Sequence, residues 1–250
     1  MDIIEAIEKR ISCRAFLKNP IPDDVFRKLA SEIEAINAES GLHFQIYGPR
    51  EDGTAIDMNR KMFSANPPAY AALVAPKGAI PEEQLGYYGE RFVLFTTQLG
   101  LATCWVASTY DRSTTRVELA EGETLHDVVP IGFAPKKMPL VQRTIRGSIR
   151  ARSKRNEDLF QGPHPLAQAP EWIQAAIQAV QLAPSAVCEQ PVVFTQEAPD
   201  APIRATLPHV KSGMEYTDLG IAKLHFELAA KASGVMGTWD WGEDAAFHIA

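Results

Sequence analysis

Gly86-Tyr-Tyr-Gly-Glu-Arg-Phe92-Val-Leu94-Phe-Thr-Thr-Gln-Leu-Gly100-Leu-Ala-Thr-Cys-Trp105 is the stretch on which the fold turns. Gly86, Phe92, Leu94, Gly100 and Trp105 each have an identical partner 134 residues further on, at Gly220, Phe226, Leu228, Gly234 and Trp239. One offset shared by five identities marks two related halves. Within the quoted stretch, Phe92 to Leu101 is apolar without alternation and without proline, which predicts a buried helix closing near Gly100. Thr103 to Val106 reads as a strand or extended connection, and Val128 to Phe133 as a further strand.

Upstream, Ile3, Ile4, Ile7 and Ile11 recur at helical spacing, so a short helix from Asp2 to Lys9 runs into the extended basic segment Arg10-Ile-Ser12-Cys-Arg14. Asn19 to Asp24 is turn chemistry, with Asp23 or Asp24 expected to cap a helix that carries Val25, Leu29, Ile33 and Ile36 and ends at Gly41. His43 to Tyr47 and Tyr70 to Ala75 read as strands, the second apolar enough to be buried on both faces. Gly78 to Gly89 reads as irregular and is a candidate lid, whose Tyr87 and Tyr88 either cover a ligand or pack at a helix start. Downstream, Pro170-Glu-Trp172 opens a helix through Ile173, Ile177 and Val180, Ala183-Pro184-Ser185-Ala186 breaks it, and Pro191 to Thr195 is a strand. Helix, break and strand thus repeat the order of residues 24–47.

The 250 residues carry 25 Lys and Arg against 31 Asp and Glu, a formal charge of −6, with 46% hydrophobic and 22% charged residues. Such a chain has the apolar content for a large core and is far from the composition of disorder. Its length alone leaves one domain or two open. No apolar run is long enough to span a bilayer, and Met1-Asp-Ile-Ile-Glu5 carries acids where a secretory leader carries bases, so a cytoplasmic protein without membrane partners is expected. Cys13, Cys104 and Cys188 are odd in number and widely spaced, which predicts reduced thiols and neither a disulfide framework nor a zinc site. No metal ligand set is legible among the six histidines.

Charge is unevenly distributed. Between Asp127 and Glu157 there is no acid, whereas Lys136, Lys137, Arg143, Arg146, Arg150, Arg152, Lys154 and Arg155 all fall there. The segment either faces solvent or meets an anion. Nucleic acid is not the expected anion, since interleaved aromatics are missing and the whole chain is acidic.

The glycine loops that cradle phosphates, G-x-G and G-x-x-x-x-G-K-[ST], are absent, so side chains must bind any phosphate. Arg10, Ser12 and Arg14 suit that task, because alternate residues of an extended segment point the same way and guanidinium forks bind phosphate in pairs of hydrogen bonds. A G-x-S-x-G elbow is also absent. The side chains thus suggest anion binding rather than acid–base chemistry, and a bound cofactor would have to do the reaction.

Three segments carry a resemblance. Arg10-Ile-Ser12-Cys-Arg14-Ala-Phe16 with Pro20-Ile-Pro22, Ala183-Pro184-Ser185-Ala186-Val-Cys188-Glu-Gln190-Pro191, and Leu99-Gly100-Leu-Ala-Thr-Cys-Trp105 with Pro130-Ile-Gly132-Phe133 are similar to the motifs of the FMN-dependent nitroreductases. In that family the first two motifs lie close together in one subunit, and two subunits form a dimer with flavin at each interface. Here the first half keeps R-x-S-x-R and the second keeps A-P-S. The chain thus resembles the single-chain duplicated nitroreductase subgroup, whose second half reads like Tyr216-Thr-Asp-Leu-Gly220 and onward.

The resemblance implies an α+β nitroreductase-like fold of two related half-units, each with an antiparallel-type sheet flanked by helices, forming an intramolecular pseudo-dimer with one composite site. The halves would be residues 1–135 and 166–250, joined by a basic linker at 136–165. It implies FMN as cofactor, NADH or NADPH as donor, and a nitroaromatic, quinone or related small-molecule acceptor. Arg10 would bind the FMN phosphate, Ser12 the phosphate or ribityl chain, and Arg14 the pyrimidine end of the ring. Pro184, Ser185 and Ala186 would lie along the ring. Cys188 replaces the family's asparagine, Lys61 matches a segment that reaches flavin O2, and Arg152, Lys154 and Arg155 are the matches to a basic K-x-R near the phosphate. A monomer, with weak self-association as the alternative, follows from the fused pseudo-dimer. The alternative function is a flavin-binding protein with little turnover.

Overall fold

A computed structural model describes residues 1–137, 139, 147 and 153–250. The chain divides into two compact units: Met1, Lys9–Lys77 and residues 92–148 form the first, and Asp2–Glu8, Gly78–Arg91 and residues 149–250 form the second.

The first unit is built on a four-stranded antiparallel sheet of order β1-β2-β4-β3, made of β1 (Gln45–Tyr47), β2 (Ala69–Pro76), β3 (Ala102–Thr103) and β4 (Glu123–Gly132). β2 is central and buried from Ala69 to Ala75, as its unbroken apolar run requires. A register shift between Leu73 and Val74 marks a bulge in its ladder with β4. Helix α2 (Asp23–Ser40) follows the short α1 (Ile3–Lys9) and buries Leu29, Ile33 and Ile36. Its N-cap is Pro22 rather than an aspartate. Asp23 and Asp24 lie within the first turn, where their charges face the positive end of the helix. The Asn37 carboxamide both donates to Phe44 O and accepts from Phe44 N, at 2.8 Å each, tying α2 to the start of β1. The core beneath the sheet contains Cys13, Phe16, Ile56, Met58, Phe63, Tyr70, Cys104 and Val128.

Helix α3 (Ala79–Gln98) begins earlier than the sequence reading places it. Its first half is the segment expected to be an irregular lid, and the structure corrects that expectation. Pro81 sits in the first turn, where a helix needs no backbone donor, and the Glu82 carboxylate accepts the N–H of Gly78 at 3.2 Å. Tyr87 and Tyr88 pack against Trp241, with centroids 5.4 and 6.2 Å away.

The second unit has a five-stranded sheet of order β5-β6-β7-β9-β8. Its strands are β5 (Phe160–Gln161), β6 (Val193–Thr195), β7 (Ile203–Thr206), β8 (Gly237–Trp239) and β9 (Ala245–Ile249), antiparallel except for the β5–β6 pair. Helices α4 (Glu171–Leu182) and α5 (Met214–Ala232) complete it. An aromatic cluster of Phe194, Phe226, Trp239 and Phe247 forms its core, with Phe194 and Phe226 stacked at 4.9 Å.

One topology occurs twice. The order helix, strand, strand, helix, strand, strand is traced by α2-β1-β2-α3-β3-β4 and again by α4-β6-β7-α5-β8-β9. The strand order β1-β2-β4-β3 recurs as β6-β7-β9-β8. The turns that close α3 and α5 also match: Gly100 N–H donates to Thr97 O and Leu101 N–H to Thr96 O, while Gly234 N–H donates to Lys231 O and Val235 N–H to Ala230 O. Both glycines are left-handed, at φ 79° and 86°, the conformation that ends a helix in this motif.

Candidate functional site

The first unit holds Arg10, Ser12, Arg14 and Lys61. Residues 10–14 run along the edge of the sheet: Ser12 forms a parallel bridge with Thr103, and Cys13 N–H donates to Thr103 O at 2.7 Å. Cys13 and Ala15 are buried and alternate with the half-buried Arg10, Ser12 and Arg14, so the three polar side chains share the outer side of the segment. Burial pushes Cys104 up, while the Arg14 and Arg10 guanidiniums and the Ser12 hydroxyl pull it down. No described carboxylate pairs with the Arg14 guanidinium.

Lys61 is exposed on the turn 59–64, held by Asn59 Oδ1 accepting its N–H at 2.9 Å. The end of that turn is fastened to the basic segment, because Ser64 N–H donates to Arg14 O at 3.0 Å. The fold therefore brings Lys61 and Arg14, far apart in sequence, onto neighbouring backbone.

The second unit holds Lys154, Arg155, Pro184, Ser185, Ala186 and Cys188; Arg152 lies outside the described residues, as do Arg143, Arg146 and Arg150. The A-P-S segment leaves α4 and enters a short 3₁₀ turn at Ala186–Cys188. Val187, Cys188 and Gln190 have φ of 44°, 62° and 47°, all in the left-handed region that non-glycine residues avoid. Val187 is β-branched, hence particularly unfavourable there, and is 70% exposed.

This loop is fastened from several sides. Gln190 N–H donates to Ser185 Oγ at 3.0 Å, the Gln190 carboxamide donates to Gln181 O at 2.9 Å and accepts Lys154 N–H at 2.7 Å. Ala186 N–H is shared by both carboxylate oxygens of the buried Asp218, at 2.9 and 3.1 Å. The two basic candidates differ. Arg155 is engaged as a fork with Asp158, at 3.0 Å from Nε and 2.9 Å from a terminal nitrogen. Lys154 makes no ion pair among the described residues.

Sequence reasoning missed Asp218 and the bracing role of Gln190. The signal for Asp218 is an acid within Thr217-Asp-Leu-Gly-Ile-Ala, otherwise apolar or small; a helix buried on nearly every side accommodates such an acid only where a specific bond compensates its burial. All three cysteines are free, Cys13 and Cys104 buried and Cys188 half-buried. No described helix is long and apolar enough to cross a membrane.

A family model described as "Putative TM nitroreductase" matches residues 2–230, and the chain belongs to that nitroreductase family of oxidoreductases. The crystal structure of a protein from Thermotoga maritima MSB8, described as a putative nitroreductase, is similar in fold: TM-score 0.63 and 22% identity over 100% of this chain and 94% of that one. A nitroreductase with bound FMN from Bacteroides fragilis NCTC 9343 aligns with 56% of this chain and 92% of its own, at 19% identity and TM-score 0.41. An FMN-dependent nitroreductase from Clostridium difficile R20291 aligns with 54% of this chain and 89% of its own, at 15% identity and TM-score 0.42. No curated protein matches the chain.

Proposed function

We propose that the chain is an FMN-dependent NAD(P)H oxidoreductase whose acceptor is a nitroaromatic, quinone or related small molecule. Bound FMN would supply the redox chemistry, hydride transfer at N5 between NADH or NADPH and the acceptor. The observation that carries this reading is the trio of half-buried Arg10, Ser12 and Arg14, which alternate with buried Cys13 and Ala15 on an edge segment pinned to Thr103. Two guanidiniums and a hydroxyl match a phosphate dianion in charge and in donors, and fixing the segment to Thr103 removes most of the ordering cost of gathering them.

Arg10 and Ser12 take the phosphate end in this reading, and Arg14 and Lys61 place positive charge at the pyrimidine end of the ring. Pro184, Ser185 and Ala186 supply a flat, small-residue surface along the ring, with Cys188 at its margin. Lys154 is preferred to Arg155 at the phosphate, because the Arg155 fork is already occupied by Asp158. The matching element orders and the repeated helix-closing turn support a fused duplication of residues 1–135 and 166–250 about the basic 136–165 segment; in this reading the chain works as a monomer in the cytoplasm.

The test is FMN titration followed by fluorescence quenching, with NADH and NADPH oxidation assayed on the loaded protein. Saturable binding, lost at least tenfold in Arg14→Ala, together with acceptor-dependent oxidation of either nucleotide, is expected. Absence of saturable binding in the unaltered protein refutes the reading.

A further inference from the structure

We infer that Asp218 is a positioning residue that sets the conformation of the Ser185–Gln190 loop and thereby its grip on the flavin ring. The inference rests on the flavin reading above. Three of the four non-glycine residues with positive φ among the described residues lie in this one loop: Val187, Cys188 and Gln190. Each costs on the order of 1 kcal/mol or more, and conformations of that kind persist only where the surroundings over-determine them. Val187 adds a second cost by holding an apolar side chain 70% exposed, so packing within the fold does not recover it.

The restraint is visible. Ala186, immediately before the first left-handed residue, has its N–H held by both oxygens of Asp218 on α5. Asp218 is 5% exposed, so this charge-assisted bond is shielded from water and is strong for a hydrogen bond. Ser185 Oγ closes the loop on Gln190 from the other side. The consequence for binding is geometric: with Ala186 N–H directed at α5, the loop presents Pro184, Ala186 and Val187 as an apolar edge, suited to a conjugated ring rather than to an anion. Such an edge is ordered before the ring arrives, and preorganisation of that kind strengthens binding without adding contacts.

Asp218→Ala removes the acceptor, whereas Asp218→Asn keeps one carbonyl oxygen for Ala186 N–H and exchanges the second oxygen and the charge for an amide group. Two readouts are made on the full chain: FMN affinity, and the alkylation rate of Cys188 by iodoacetamide, resolved from buried Cys13 and Cys104 by peptide mass spectrometry. Asp218→Ala is expected to fold, to weaken FMN about tenfold and to raise the Cys188 alkylation rate severalfold without FMN. Asp218→Asn is expected to track the unaltered protein in both, and FMN to protect Cys188 in both. Unchanged affinity and labelling in Asp218→Ala overturn the inference. So does loss of the fold, which would make Asp218 a core residue of the unit. If the unaltered protein binds no FMN, the flavin reading fails by itself, and the labelling rates still decide whether Asp218 sets the loop.

Discussion

Gly86 of α3 and Gly220 of α5 are reciprocal partners in one helix crossing: a Cβ on Gly86 would overlap the carbonyl of Thr217, and a Cβ on Gly220 would overlap the carbonyl of Glu83. The same offset of 134 residues relates Gly86 to Gly220 and Glu83 to Thr217, so each contact is the other's image under that offset. This is the pattern of an isologous interface, in which residue i meets j and j meets i. Close packing here needs the missing side chain. Gly86→Ala and Gly220→Ala should each destabilise the second unit by about 3 kcal/mol, at the upper end of overpacking because backbone must move. Their combination should cost less than the sum, since the first already parts the helices. Urea unfolding of the three variants measures this.

A buried ionic contact spans the same helices. Lys223, wholly buried on α5, meets the buried Glu83 on α3, and its ammonium also donates to Gly242 O at 2.9 Å and Asp240 O at 3.1 Å. Burial raises the Glu83 pKa and lowers that of Lys223, each opposed by the charge of its partner. Lys223→Met leaves Glu83 buried without its cation and should cost about 3–5 kcal/mol. Lys223→Met with Glu83→Gln should cost clearly less than the two single changes summed, a coupling read from a double-mutant cycle.

Glu215, in the first turn of α5, accepts the backbone N–H groups of Lys211, Ser212 and Gly213 and the Ser212 hydroxyl. Burial alone would raise its carboxyl, but these bonds prevail and hold it at about 2, below its ordinary 4.5. A depressed carboxyl contributes stability that is complete above its unfolded pKa and lost as pH falls through the folded value. Stability should therefore fall between about pH 4.5 and 2 by an amount on the order of 2–3 kcal/mol from this group. Glu215→Gln should flatten that part of the curve, as seen by chemical denaturation at a series of pH values.

Val187 and Cys188 test the cost of the strained loop. Val187→Gly and Cys188→Asn place residues tolerant of positive φ at 44° and 62°. Each should raise the unfolding free energy by about 0.5–1 kcal/mol, a gain unusual for substitutions that remove apolar or packed atoms. Denaturant midpoints at constant slope give the answer. An unchanged or lowered midpoint for both would show that the left-handed backbone is not a cost.

The elements most legible in the sequence are those whose side chains announce a single environment. The apolar run of β2, the Gly100 helix end and the alternation of Arg10, Ser12 and Arg14 against Cys13 all fix local structure from a few residues, and the fold follows them. The first half of α3 was illegible because Gly78, Pro81, Gly86 and Gly89 are breakers by propensity, and the reason two of them belong in a helix is nonlocal: Pro81 occupies a first turn and Gly86 meets Thr217. The same limit hid Asp218. Its role depends on Ala186, 32 residues away, and no periodicity encodes a bond across that distance. Conversely, Lys61 and Arg14 were matched separately to motifs, and the bond from Ser64 to Arg14 O explains why both segments belong to one neighbourhood.

The central claim, a flavin held in part by Arg10, Ser12 and Arg14 and reducible by a nicotinamide, is tested most directly by one visible spectrum. The full chain is loaded with excess FMN, desalted, and its visible spectrum is recorded before and after anaerobic NADH or NADPH. A retained flavin band that bleaches on adding nucleotide is the predicted result. A band that is absent after desalting, or present and unmoved by either nucleotide, contradicts the account.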